Sequence, residues 1–248
     1  MPEFPEVFTI YEQLKKIDIK YIDSIWFCDG VLSLVKSDVY GISIIGKRIY
    51  IQLNNTYLEI KFGMTGALTL EANGSKHLRA MIHANDGITL FYNDIRKFGG
   101  VRVLDQIPVA KMPSPLEAGY KSEVKERLIY RNEKVFSLLL NQEVALGVGS
   151  YIAQEALFMA KIHPARKKIN NKEGEILTNY IVDIIKNSIG KGGASMRDYH
   201  DLNGNFGTYA SFFKVYGRKG KNCLLCNQKL SYMKINRRGC TFCSECQL

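Results

Sequence analysis

Five of the six cysteines fall in the last 26 residues. Four of them, Cys223, Cys226, Cys243 and Cys246, form a C-x2-C-x16-C-x2-C pattern. Each C-x2-C pair makes a knuckle that offers two thiolates to one tetrahedral Zn²⁺. The intervening length suits one β-hairpin, with strands drawn from residues 228–234 and 239–242. A module of this size cannot bury enough core to fold alone, so one structural zinc ion must supply folding energy. Cys240 leaves a second register open, because Cys240-x2-Cys243 is also a knuckle. The preferred ligand set keeps Cys243 and Cys246 and treats Cys240 as a thiol in a strand. A secreted disulfide framework would spread its cysteines and would come with a signal peptide.

The other chemistry lies at the start of the chain, Met1-Pro2-Glu3-Phe4-Pro5-Glu6-Val7. Removal of Met1 before the small Pro2 would leave a secondary amine. Such an amine attacks an aldehyde-like carbon and gives a charged iminium without further proton loss. The reference pKa of an α-amine is near ~8, so much of it is the free nucleophile at neutral pH. Glu3 beside it could move protons. On its own the dipeptide is weak, because Pro at position 2 is common.

Charge points to a polyanionic partner. The chain carries 34 Lys and Arg against 24 Asp and Glu, a net charge of +10. Residues 205–248 hold eight basic residues and one acid, which is +7 of that total. Tyr209, Phe212, Phe213, Tyr216, Tyr232 and Phe242 are interleaved with them. Basic and aromatic residues concentrated on one small module read as a nucleic-acid footprint; the bland alternative is a solvated basic tail. No apolar run approaches the ~18 residues of a membrane span, and residues 1–20 lack the pattern of a signal peptide. The expectation is a soluble cytoplasmic monomer without a membrane partner, nucleoid-associated in a bacterium.

The elements that must hold these residues follow from periodicity. Val7, Ile10, Tyr11, Leu14 and Ile17 have helical spacing, and Pro5 suits a first turn. Short β-rich runs follow at 22–28, 39–45, 48–53, 57–62, 67–70, 80–84, 88–92 and 100–104. Turn signals such as Asp29-Gly30, Asn54-Asn55, Asn73-Gly74 and Asp86-Gly87 separate them, which suggests a sandwich or barrel. Pro108, Pro113 and Pro115 mark a linker, and helical patterns follow at 122–131, 134–140, 150–160 and 172–188. The expected fold is α+β and multidomain: a catalytic β-sandwich with an N-terminal helix over 1–107, a hinge over 108–121, a helical domain over 122–212 and a zinc hairpin over 213–248. A loop over 190–209 carries five glycines, a composition common in functional loops.

These motifs, in this order, resemble the formamidopyrimidine-DNA glycosylase and endonuclease VIII family of base-excision repair enzymes. The matching stretches are MPEFPEV (1–7), Lys47 in GKRIYIQL, FGMTGAL (62–68), DIRKFG (94–99), LLLNQEVALGVGSYIAQEAL (138–157), IHP (162–164), 192–209 and 215–247. The resemblance implies a helix-two-turn-helix motif in the helical domain and, as partner, double-stranded DNA with damaged bases or abasic sites. It implies Pro2 as nucleophile at C1′, Glu3 as general acid/base, and Lys47 and Arg238 on phosphates around a flipped nucleotide. Met64, Arg96 and Phe98 match residues that fill the void in the duplex, a task that suits an apolar wedge, a planar cation and a ring. Gly147-Val148-Gly149 precedes a helix whose amino terminus can meet a phosphate.

Some positions depart from the commonest pattern. Ser150 stands where many members carry a phosphate-binding Asn, Glu143 where some carry Lys, Lys61 for a common His, and Ile95 for a Pro. The activity implied is removal of oxidised purines, 8-oxoguanine and formamidopyrimidines, with strand cleavage by β,δ-elimination. The alternatives are an endonuclease VIII-like enzyme for oxidised pyrimidines and a catalytically silent damaged-DNA-binding protein.

Overall fold

The computed structural model describes residues 2–30, 36–72, 74, 76–195 and 199–248. Met1 and Asn73, and part of the 190–209 loop, lie outside the described residues. The described residues fall into two compact units. The first comprises 1–109 and 188–210, the second 110–187 and 211–248.

The first unit is a β-sandwich headed by helix α1 (Phe4–Lys16). Among the described residues its strands are β1 (Tyr21–Phe27), β2 (Ser37–Asp38), β3 (Gly41–Ile45), β4 (Arg48–Gln52), β5 (Tyr57–Lys61), β6 (Gly66–Thr69), β7 (Leu78–Ala84), β8 (Thr89–Asp94) and β9 (Gly100–Leu104). They form two antiparallel sheets, ordered β2-β1-β7-β8-β6 and β3-β4-β5-β9. Alternation along β4 and β5 sends Ile49, Ile51, Leu58 and Ile60 into the core, where Val7, Ile10 and Leu14 of α1 join them. Tyr92 on β8 binds across to the other sheet, its hydroxyl donating to the Lys61 carbonyl at 2.7 Å. Gly99 lets the chain close over that bond, because a Cβ there would collide with the Tyr92 hydroxyl and the Lys61 carbonyl.

The second unit holds α2 (Tyr120–Ile129), α3 (Val135–Leu140), α4 (Ser150–Met159), most of α5 (Asn171–Ile189) and the hairpin of β10 (Ser231–Ile235) and β11 (Arg238–Phe242). α4 is buried nearly all round, as Tyr151 to Phe158 are all buried. No helix among the described residues is long and apolar enough to cross a membrane.

The two units interleave along the chain. Residues 188–210 belong to the first unit, with the β-sandwich. Gln13 of α1 binds Asp201 and Leu202, and the Leu70 N–H donates to the Leu202 carbonyl at 3.0 Å. The hairpin belongs to the second unit, with the helices. Phe158 of α4 shares a small core with Val215, Cys223, Leu230 and Cys243.

Candidate functional site

Pro2 and Glu3 sit at the amino end of α1, both buried, Glu3 only 2% exposed. Glu3 is the N-cap of α1 and forms a capping box with Glu6. Glu6 Oε2 accepts the Glu3 backbone N–H at 2.7 Å, and the Glu3 side chain accepts from the Glu6 backbone. The exposed amides of a helix amino terminus favour a carboxylate there. Glu6 was not singled out from sequence; the Glu-x-x-Glu spacing before an apolar helix is the signal that could have found it.

Lys47 lies in the two-residue turn between β3 and β4, where Ile45 pairs with Arg48 and Gly46 takes the first turn position. Next to it, Arg48 pairs with the buried Glu59 at 2.8 Å, and Tyr50 donates to the same carboxylate at 3.2 Å.

Met64, Arg96 and Phe98 occupy two loops that lie against each other, since a Cβ on Gly63 would strike the Phe98 carbonyl group. Met64 is 39% and Phe98 53% exposed. The Arg96 guanidinium lies 4.9 Å from the centre of the Phe98 ring. Asp94 braces the loop from within: its Oδ1 accepts the Thr65 hydroxyl at 2.6 Å and the Arg96 N–H at 3.1 Å, and its Oδ2 accepts the Gly99 N–H at 2.7 Å. The backbone is therefore held while three large side chains project.

In the second unit, Gln142 shapes the turn before α4. Its Oε1 accepts the Gly147 N–H at 3.0 Å and its Nε2 donates to the Val148 carbonyl at 2.9 Å. Ser150 is the first residue of α4. Glu143 is exposed and paired with Lys111 at 2.7 Å, which holds its carboxyl below the usual range. Arg238 is exposed at the start of β11, beyond the Asn236-Arg237 turn. Asn236 Nδ2 donates to Ser137 Oγ at 3.0 Å, tying that turn to α3.

Two buried side chains missed in sequence hold the hairpin to α4. Gln154 accepts the Thr241 N–H at 2.8 Å and donates to the Gly239 carbonyl at 3.3 Å. Glu155 accepts the backbone N–H groups of Lys214, Val215 and Tyr216 at 2.7–2.9 Å. Burial pushes its carboxyl pKa up, and those three donors pull it back. Both residues lie within the 138–157 stretch already matched, but local sequence gives no sign of their distant partners.

The Sγ atoms of Cys223, Cys226, Cys243 and Cys246 all lie within 4.8 Å of one another. The pairs Cys223–Cys246 and Cys226–Cys243 are 3.9 and 3.4 Å apart. A tetrahedral site with Zn–S bonds of ~2.3 Å has edges of about 3.8 Å, so the thiolate set fits Zn²⁺. The Leu225 N–H donates to Cys223 Sγ at 3.4 Å, and Gln247 joins the second knuckle to the Ile162 carbonyl. Cys240 is outside the cluster, 1% exposed in β11, and burial pushes its thiol up to about 12. The register with Cys243 and Cys246 is therefore the one the fold builds.

Comparison with known proteins decides the family. Residues 1–101 match the formamidopyrimidine-DNA glycosylase N-terminal domain, and residues 112–200 match the H2TH domain of the same enzymes. The chain belongs to the formamidopyrimidine-DNA glycosylase family. A formamidopyrimidine-DNA glycosylase of Legionella pneumophila (strain Lens) is 32% identical over 270 residues, covering 100% of this chain and 98% of that protein. One from Desulforamulus reducens is 31% identical, covering 100% and 99%. The MutM (Fpg) protein from Thermus thermophilus superposes with a TM-score of 0.89 at 26% identity, over 99% of this chain and 98% of that one. A Lactococcus lactis Fpg variant in complex with Fapy-dG-containing DNA gives 0.87 at 28%, over 99% of each. The four-cysteine cluster is the structural zinc site of this glycosylase family, and Zn²⁺ there would supply folding energy rather than chemistry.

Proposed function

We propose that this chain is a base-excision repair glycosylase and AP lyase that removes oxidised purines from double-stranded DNA. The observation that carries the reading is the braced, projecting group of Met64, Arg96 and Phe98. A thioether, a planar cation and a ring on a fixed backbone suit insertion into a duplex from which one nucleotide has been flipped. Arg96 offers the donors to read the orphaned cytosine. Lys47, Ser150 and Arg238 hold phosphates, Ser150 through its hydroxyl at the amino end of α4.

Pro2, freed of Met1, attacks C1′ while the base leaves with its bonding electrons and a proton. Glu3 supplies and later accepts protons as the sugar ring opens. The resulting iminium acidifies the C2′ hydrogen. Its removal expels the 3′ phosphate by β-elimination, and a second elimination expels the 5′ phosphate. The place of action is the cytoplasm, where a bacterial chromosome lies.

The test is a duplex with 8-oxoguanine opposite cytosine, scored for strand cleavage and for covalent complex trapped by borohydride. The wild-type protein should cleave and trap, and its amino-terminal mass should show Met1 removed. Pro2→Gly should greatly reduce trapping. Glu3→Gln should slow base excision at least ~10²-fold while keeping affinity for an uncleavable abasic analogue. Efficient trapping by a form that retains Met1 would overturn the assignment of Pro2.

A further inference from the structure

We infer that Glu6 is a positioning residue that couples the placement of Glu3 to the docking of residues 193–195 and 199–202, an inference that rests on the glycosylase reading above. The Glu6 side chain is 1% exposed and reaches two distant stretches of chain at once. Its Oε2 accepts the Glu3 N–H at 2.7 Å, and its Oε1 accepts the Ala194 N–H at 2.7 Å. The Glu6 carbonyl accepts the Tyr199 hydroxyl at 3.2 Å. An ionised carboxylate is acceptor-only, so it can take both N–H groups in bonds stronger than neutral ones. Glutamine would turn an NH₂ group toward one of the two donors.

The segment is shaped to reach this carboxylate. Gly193 has φ +90, and a Cβ on it would come within 2.9 Å of Glu6 Cγ and Oε1. Two turns further along α1, Gln13 grips Asp201 and Leu202. Its Nε2 donates to Asp201 Oδ2 at 2.8 Å, and its Oε1 accepts the Leu202 N–H at 3.0 Å. Glu6 and Gln13 are seven residues apart and so share one face of the helix. One helix thus carries the reactive end of the chain and both anchors of the segment. The docked segment holds the Glu6 carboxylate, and that carboxylate holds the backbone of Glu3.

Misplacing an acid/base group by about 1 Å costs on the order of 10²-fold in rate. A break at either end of the link should therefore lower the rate of the chemical step and leave binding alone. The test is single-turnover excision on the 8-oxoguanine duplex by wild type, Glu6→Gln, Gly193→Ala and the double variant. Each single variant should lose about 10²-fold in the saturating rate, with little change in the half-saturating concentration. The double variant should be no slower than the slower single, because both cut one link. Tyr199→Phe, which removes only the hydroxyl on the Glu6 carbonyl, replaces Glu6→Gln in the cycle if that variant does not fold. A single variant with the wild-type rate, a loss confined to binding, or a double variant whose loss is the product of the two singles would overturn the inference. A folded wild-type protein that excises nothing would instead overturn the glycosylase reading.

Discussion

Gln154 Nε2 donates to Ser150 Oγ at 2.9 Å, one turn apart on α4, and the same side chain holds β11 through Gly239 and Thr241. Ser150 therefore receives a hydrogen bond from within the protein and keeps its own hydroxyl hydrogen to donate. The two residues assigned to phosphates in this unit, Ser150 and Arg238, share one amide as their brace. Gln154→Ala should leave the buried Thr241 N–H without its acceptor, a loss of about 1–3 kcal/mol readable by urea denaturation. Arg238→Ala should leave stability alone, weaken DNA binding for all sequences and reduce the salt slope by about one. A stability loss with Arg238→Ala as large as that with Gln154→Ala would mean that Arg238 is structural.

The metal centre predicts a clean split between two neighbouring thiols. Cys246→Ser should lose zinc by metal analysis and unfold the hairpin, with DNA binding lost alongside. Cys240→Ser should keep one zinc per chain and near-normal DNA binding, because its Sγ is buried away from the other four. Zinc lost with Cys240→Ser and kept with Cys246→Ser would reverse the ligand set.

Glu155 predicts a different kind of failure, in which the zinc site survives but its attachment does not. Its two oxygens satisfy three consecutive backbone donors at the entry to the hairpin. Glu155→Ala strands those donors and should cost at least about 1–3 kcal/mol, the range for one buried donor left unsatisfied. Hydrogen exchange should report it as faster exchange at 214–216, with four-cysteine zinc binding retained. Unchanged exchange there would show that packing of Val215 and Phe213 alone holds the segment.

Much of this was legible in sequence because the local signals agree. Strand alternation placed β4 and β5 to within a residue, and β9 matched its expected bounds. The cysteine spacing placed the metal site, since a C-x2-C knuckle is a local device. Resemblance singled out Met64, Arg96 and Phe98, which lie exposed on two touching loops. What sequence could not give were side chains that bind across long separations. Glu6 meets Ala194 across 188 residues, and Gln154 meets Thr241 across 87. Those bonds tie 188–210 to α1 and the hairpin to α4. A polar residue at a helix face reads as solvated until its partner is known.

His163 predicts how acid acts on the helical unit. It follows Ile162 in the turn after α4, its ring edge-on to Phe242 at 4.8 Å between centroids. Its Nδ1 accepts the Ala165 N–H at 3.2 Å, so the neutral ring carries its hydrogen on Nε2. Burial lowers the pKa of this imidazole below the ordinary value. The neutral form is therefore the one the fold favours. Below the reference value of about 6.5 the unfolded chain binds the proton more readily than the folded one. The stability contribution is complete above that value and erodes as pH falls through the folded pKa. A proton NMR titration of the His163 ring should give a midpoint below that of an exposed histidine. His163→Gln should flatten the acid limb of the stability curve between the two values. A midpoint at or above about 6.5 would show that the ring is solvated, and that the Phe242 contact does not bury it.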